Sequence, residues 1–154
     1  MSRTLVVGVG NALRGDDAAG LHVARRLAAR GLEGVHEASG ETASLMELWQ
    51  GASCVLLADA ARSGAEPGTV TRLDASSQAL PAAFLHCSTH AFGVAEAVEL
   101  ARSLDTLPPR IIIFGIEGAS FEHGAPLSPA VETGVRKAVE MIETEMNEFL
   151  SAKR

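Results

Sequence analysis

Three side chains in this sequence have the types and settings for metal-directed chemistry: Asp17, Asp59 and His90. Asp17 closes the run Gly8-Val9-Gly10-Asn11-Ala12-Leu13-Arg14-Gly15-Asp16-Asp17, which sets two carboxylates side by side at the start of an expected helix. One aspartate suffices to cap a helix, a contribution of about 0.5–2 kcal/mol, and its charge complements the helix dipole. Asp16 is assigned that role. The adjacent charge of Asp17 is costly to hold there unless a cation shares the site. Asp59 ends the apolar run Cys54-Val55-Leu56-Leu57-Ala58, where a carboxylate is expensive unless hydrogen-bonded, paired or cation-bound. An aspartate after a strand also commonly accepts turn amides, and the two readings of Asp59 stand side by side. His90 immediately precedes an expected helix. Two carboxylates and one imidazole form a hard-to-borderline donor set, competent for nickel, zinc, manganese or iron.

Other chemistries fit less well. The first loop begins like a dinucleotide fingerprint, but Leu13 stands where the third glycine belongs. Two carboxylates also occupy the helix start on which a pyrophosphate must lie. A nucleotide- or flavin-binding domain is therefore disfavoured. Cys87-Ser88-Thr89-His90 lacks the second pair of soft ligands that a structural zinc site requires. Cys87 as a thiol nucleophile is disfavoured too, because residues three apart at a helix start rarely aim at each other. His22 and His36 read as surface or satisfied residues. The sequence holds no Gly-x-Ser-x-Gly elbow, Walker lysine loop or His-Glu-x-x-His helix. The attacking group of any hydrolysis is left unassigned.

The elements that must position these residues follow from periodicity. Strands are expected at Thr4 to Val9, Gly34 to Ala38, Cys54 to Ala60, Thr69 to Leu73 and Arg110 to Gly115. Three of them are near-continuous apolar runs, as in strands covered on both faces. Helices are expected from Asp16 to about Arg30, after a Thr42 cap, from Ala91 to Leu104, and after Ser128 with Pro129 in the first helical position. The last helix carries the stripe Val131, Val135, Ala138, Val139, Ile142 and Met146. Strands separated by helices predict a mostly parallel sheet between helical layers. The link around Pro67-Gly68 is too short for a helical crossover, which predicts a fourth strand antiparallel to the third. Working residues of such sheets collect at the strands' carboxyl ends, which selects the first loop, Asp59 and the loop after the fifth strand.

Composition narrows the partners. The chain has 154 residues, 47% of them hydrophobic, enough for one domain spanning residues 1–154. A formal net charge of -6 without a basic cluster argues against nucleic acid and anionic membranes, which are held through positive potential. Aromatic content of 4% with no tyrosine leaves no stacking platform for single strands. Two cysteines make no disulfide framework. The N-terminus lacks a secretory pattern, and the apolar runs are too short for a bilayer. A cytoplasmic protein is expected.

Taken together, the blocks VVGVGNALRGDDAAG, LLADA, STHAFGVAEAVEL and IIIFGIEGASFEHGAPLSPAVETGV resemble the hydrogenase maturation proteases. These are the processing endopeptidases of nickel-iron hydrogenase large subunits. The resemblance runs in order over nearly the whole chain. It implies a three-layer α/β/α sandwich with a five-stranded, mostly parallel twisted sheet and one antiparallel strand. It also implies that Asp17, Asp59 and His90 contact nickel, and that the nickel is carried by the substrate, a large-subunit precursor losing its C-terminal extension. A non-proteolytic, nickel-dependent assembly partner sharing the fold is the alternative. The family's usual Asp-Gly-Gly-Thr loop is here Ser39-Gly40-Glu41-Thr42, and Glu41 in a glycine's place alters backbone freedom or substrate access there.

Overall fold

The computed structural model describes residues 3–81 and 93–152. Strands β1 (Thr4–Val9), β2 (Val35–Ala38), β3 (Cys54–Ala61), β4 (Val70–Asp74) and β5 (Arg110–Glu117) form one sheet in the order β2-β1-β3-β5-β4. The β1–β2, β1–β3 and β3–β5 pairs are parallel, and β4–β5 is antiparallel. The fourth strand thus runs opposite to β3, as its short connection predicts, but it bonds to β5 at the sheet margin instead of to β3. Both edges of β3 are already taken, by β1 and β5.

Alternation along the strands divides the core into two layers. Leu5, Val7, Val55, Leu57, Ile111 and Ile113 face helices α2 (Thr42–Trp49) and α3 (Val94–Ser103), meeting Leu45, Trp49, Val94 and Val98. Val6, Leu56, Ala58, Ile112, Phe114 and Ile116 face α1 (Ala19–Ala29) and α4 (Pro129–Ala152). The stripe expected on α4 is buried at each of its six positions. This is the three-layer α/β/α arrangement. Among the described residues no helix is long and apolar enough to cross a membrane.

Several local expectations are corrected. The helix expected from Asp16 begins instead as a 3-10 turn, Gly15–Ala18, before α1. Glu41, not Thr42, caps α2, its carboxylate accepting the N–H groups of Ala43 and Ser44, both at 3.1 Å. A carboxylate reaches those two donors and also suits the positive end of the helix. Thr42 instead donates its hydroxyl to the Gly93 carbonyl at 3.4 Å, so α2 and α3 begin side by side at the carboxyl edge of the sheet.

Candidate active site

Close backbone approach brings the first loop onto the sheet. Asn11 donates its N–H to the Asp17 carbonyl at 3.2 Å. A Cβ on Gly10 would lie 2.0 Å from that oxygen, so only glycine fits. One turn on, a Cβ on Gly20 would lie 2.3 Å from the Val9 carbonyl oxygen and 2.4 Å from that of Ala58. Helix α1 therefore starts directly on the carboxyl ends of β1 and β3. That contact brings Asp17 to Asp59. The sequence reading overlooked Gly20, whose only signal is a glycine one turn into an expected helix.

Asp59 lies within β3 opposite Gly115 of β5, two residues before the strand ends, and both Asp59 and Asp17 are 3% exposed. The Ala60 N–H donates to Asp59 Oδ1 at 2.8 Å, so the local amide bond expected of such an aspartate is present. It is not sufficient. Burial first, and the Asp17 carboxylate second, push the Asp59 carboxyl well above its ordinary pKa, against the lowering effect of the Ala60 N–H. Two neighbouring buried carboxylates favour a proton or a cation between them.

Asp16 was expected to cap its own helix and does not; no side-chain bond caps that turn. It is fully buried and faces the β5–α4 loop. There its carboxylate accepts the N–H groups of Ala119 (2.8 Å), Ser120 (2.9 Å) and Ser128 (2.7 Å) and the Ser128 hydroxyl (2.7 Å). Burial raises its pKa, but the bonds from Ser128, Ser120 and Ala119 outweigh burial and hold the carboxyl below its ordinary value. Ser128 stands just before α4 as expected, with its hydroxyl directed to Asp16. The neighbouring aspartates are thus separated in role: Asp16 ties two loops together, and Asp17 faces the sheet edge.

A further carboxylate at this edge was not singled out from the sequence. Glu117 ends β5, is 4% exposed, and accepts the Ser63 hydroxyl at 2.6 Å together with the N–H groups of Ser63 and Gly64. Its signal was the one used for Asp59, an acid closing an apolar strand. Donors from the β3–β4 turn surround it, so its charge is already accommodated.

His90, like His86 and Cys87, lies outside the described residues. Among the described residues no group of three His, Cys, Asp or Glu side chains is arranged to hold a metal ion. The site as described is a buried pair of carboxylates, oxygen donors for a proton or a hard-to-borderline cation.

The chain is similar to known proteins over most of its length. A family model described as hydrogenase maturation protease matches residues 22–145. The hydrogenase 2 maturation protease of Escherichia coli K12 is 30% identical over 152 residues, covering 95% of this chain and 92% of that protein. Among solved structures, the NiFe hydrogenase maturation protease HybD from Thermococcus kodakarensis is 28% identical, with a TM-score of 0.71 over 92% of this chain and 97% of that one. The hydrogenase maturating endopeptidase HybD from E. coli is 26% identical, with a TM-score of 0.75 over 95% and 93%. The chain belongs to the hydrogenase maturation protease family.

Proposed function

We propose that the protein is a cytoplasmic endopeptidase that removes the C-terminal extension of a nickel-loaded nickel-iron hydrogenase large-subunit precursor, with Asp17, Asp59 and His90 contacting the precursor's nickel. The observation that carries this reading is the Asp17–Asp59 relationship: two buried carboxylates at the sheet's carboxyl edge, one of them strongly resistant to ionisation because of burial and the other's charge. Nickel arriving on the substrate neutralises that pair. The nickel-free precursor leaves the two acids facing each other, so recognition depends on metal loading. The names of the relatives support the substrate class, since they describe proteases that mature hydrogenases, in one case explicitly a NiFe hydrogenase. When bound, the ion also serves to polarise the scissile carbonyl or a water.

The test is to incubate the purified protein with nickel-loaded and nickel-free precursor and to follow the precursor mass. Loss of a C-terminal fragment from the loaded form alone is expected, and Asp59→Asn and His90→Ala proteins that remain folded should not cut. Full activity in both variants would sink the proposed contacts. Tight binding of loaded precursor without cutting would identify an assembly partner instead.

A further inference from the structure

The edge that carries Asp59 also carries an exposed arginine, Arg62, stacked on an aromatic ring. Arg25, Arg26, Arg30, Arg72, Arg102 and Arg110 each pair with a glutamate. Carboxylates are plentiful, with 19 Asp and Glu against 13 Lys and Arg. Arg62, like Arg3, Arg14 and Arg136, ion-pairs with none of the described residues, but its guanidinium lies over the Phe121 ring, 5.5 Å from the centroid. It directly follows the last residue of β3 and is exposed. The Gly118 N–H donates to the Ala61 carbonyl at 3.0 Å, so the segment that ends in Phe121 and Glu122 departs from the sheet beside Arg62. Between them opens a cleft of about 380 Å³. Glu122 lines the same cleft without pairing to the arginine.

A guanidinium lying on an aromatic face is held in place while its edge donors remain directed outward, suited to a carboxylate fork. The cleft admits one or two side chains. Arg62 is three residues beyond Asp59, a span of roughly 10 Å along an extended strand. A peptide held at the Asp17–Asp59 centre therefore reaches the cleft about three residues away. In an acidic protein, a cation at this point discriminates between peptides that do and do not present a negative charge there.

We propose that the Arg62–Phe121 cleft is a specificity subsite for a carboxylate side chain in the C-terminal segment of the precursor. The inference rests on the processing role proposed above. Its test uses nickel-loaded precursor and the wild-type, Arg62→Ala, Arg62→Lys and Arg62→Glu proteins. Each is paired with precursors in which the Asp and Glu residues of the C-terminal segment are amidated one at a time. Arg62→Ala should raise KM about tenfold with little change in kcat; Arg62→Glu should raise it further, and Arg62→Lys should recover part of the loss. One precursor amidation should reproduce the increase with the wild-type protein and add nothing with Arg62→Ala. Unchanged KM in Arg62→Ala and Arg62→Glu, or additive effects for every amidation, overturns the subsite and leaves the processing role intact. Titrating the same precursors as a binding measurement separates the two ideas. If the wild type binds but does not cut, the processing role fails, while the subsite still stands or falls by whether Arg62→Ala weakens binding.

Discussion

The Asp16 carboxylate accepts both the backbone N–H and the hydroxyl of Ser128, each at 2.7 Å and across 112 residues of chain. With Ala119 and Ser120 as further donors, it clamps the first loop to the segment that lines the Arg62 cleft. The Asp16 N–H completes the clamp by donating to the Ser120 carbonyl at 2.8 Å. Loss of that carboxylate leaves backbone N–H groups without partners in a buried setting. Asp16→Ala should destabilise the protein by about 3–5 kcal/mol and Asp16→Asn by less, because the amide keeps one acceptor. Urea denaturation followed by circular dichroism measures this. A midpoint unmoved by Asp16→Ala would show that the clamp carries no stability.

The Asp59 carboxyl has the opposite linkage. Its folded pKa is raised, by burial and then by Asp17, so the folded state retains a proton that the unfolded chain releases. Its stabilising contribution is complete below the unfolded pKa, near 4, and is lost as pH rises toward the folded value. In metal-free protein, Asp59→Asn should therefore melt several degrees higher than wild type at pH 7. The difference should shrink toward zero as the pH falls to about 4. Differential scanning calorimetry at a series of pH values reads this directly; a lower melting temperature at neutral pH contradicts it.

At the far end of the sheet, Glu145 joins Arg72 at 2.7 Å and also pairs with Arg110. Its carboxyl is held below its ordinary value first by the Arg72 hydrogen bond, against burial, with Arg110 adding to the lowering. A lowered carboxylate contributes stability that is present above its unfolded pKa, near 4.5, and lost as pH falls through the folded pKa. Glu145→Gln should cost about 1–3 kcal/mol at pH 7, a range reduced for the solvent-screened arginines. Denaturation midpoints of the two proteins should converge in acid. Parallel pH profiles would contradict the assignment.

Gly20 offers the sharpest steric test. Its missing Cβ makes room for two backbone oxygens, at 2.3 and 2.4 Å from where the carbon would sit, and neither can rotate aside as a side chain can. Gly20→Ala should cost about 3 kcal/mol or more. Because α1 must then lift from β1 and β3, precursor cleavage should fall even at temperatures where the variant remains folded. Normal turnover in a folded Gly20→Ala protein would show that Asp17 does not depend on this contact.

Much of the architecture was legible in the chain because burial on both faces leaves a direct record. The runs Thr4–Val9 and Arg110–Gly115 could be placed as strands from their apolar continuity, and the α4 stripe from its helical spacing. Asp59 stood out for the same reason, as a charge interrupting an apolar run. Glu41 was noticed but assigned to loop freedom, whereas it caps α2, because sequence does not show whether a carboxylate points back to the amides that follow it. Arg62 carried no signal at all. An exposed arginine in a turn becomes notable only when its surroundings are known to hold a ring and no paired carboxylate.

By itself the sequence determined the layers, the mostly parallel sheet and the buried acid on the third strand, since these follow from periodicity and the transfer cost of charge. Only the tertiary structure decided which of two adjacent aspartates faces Asp59, and that β4 lies beside β5. Neighbouring side chains in a tight turn point in different directions, and the partners that select between them, Ser120 and Ser128 for Asp16 and Asp59 for Asp17, lie far away along the chain.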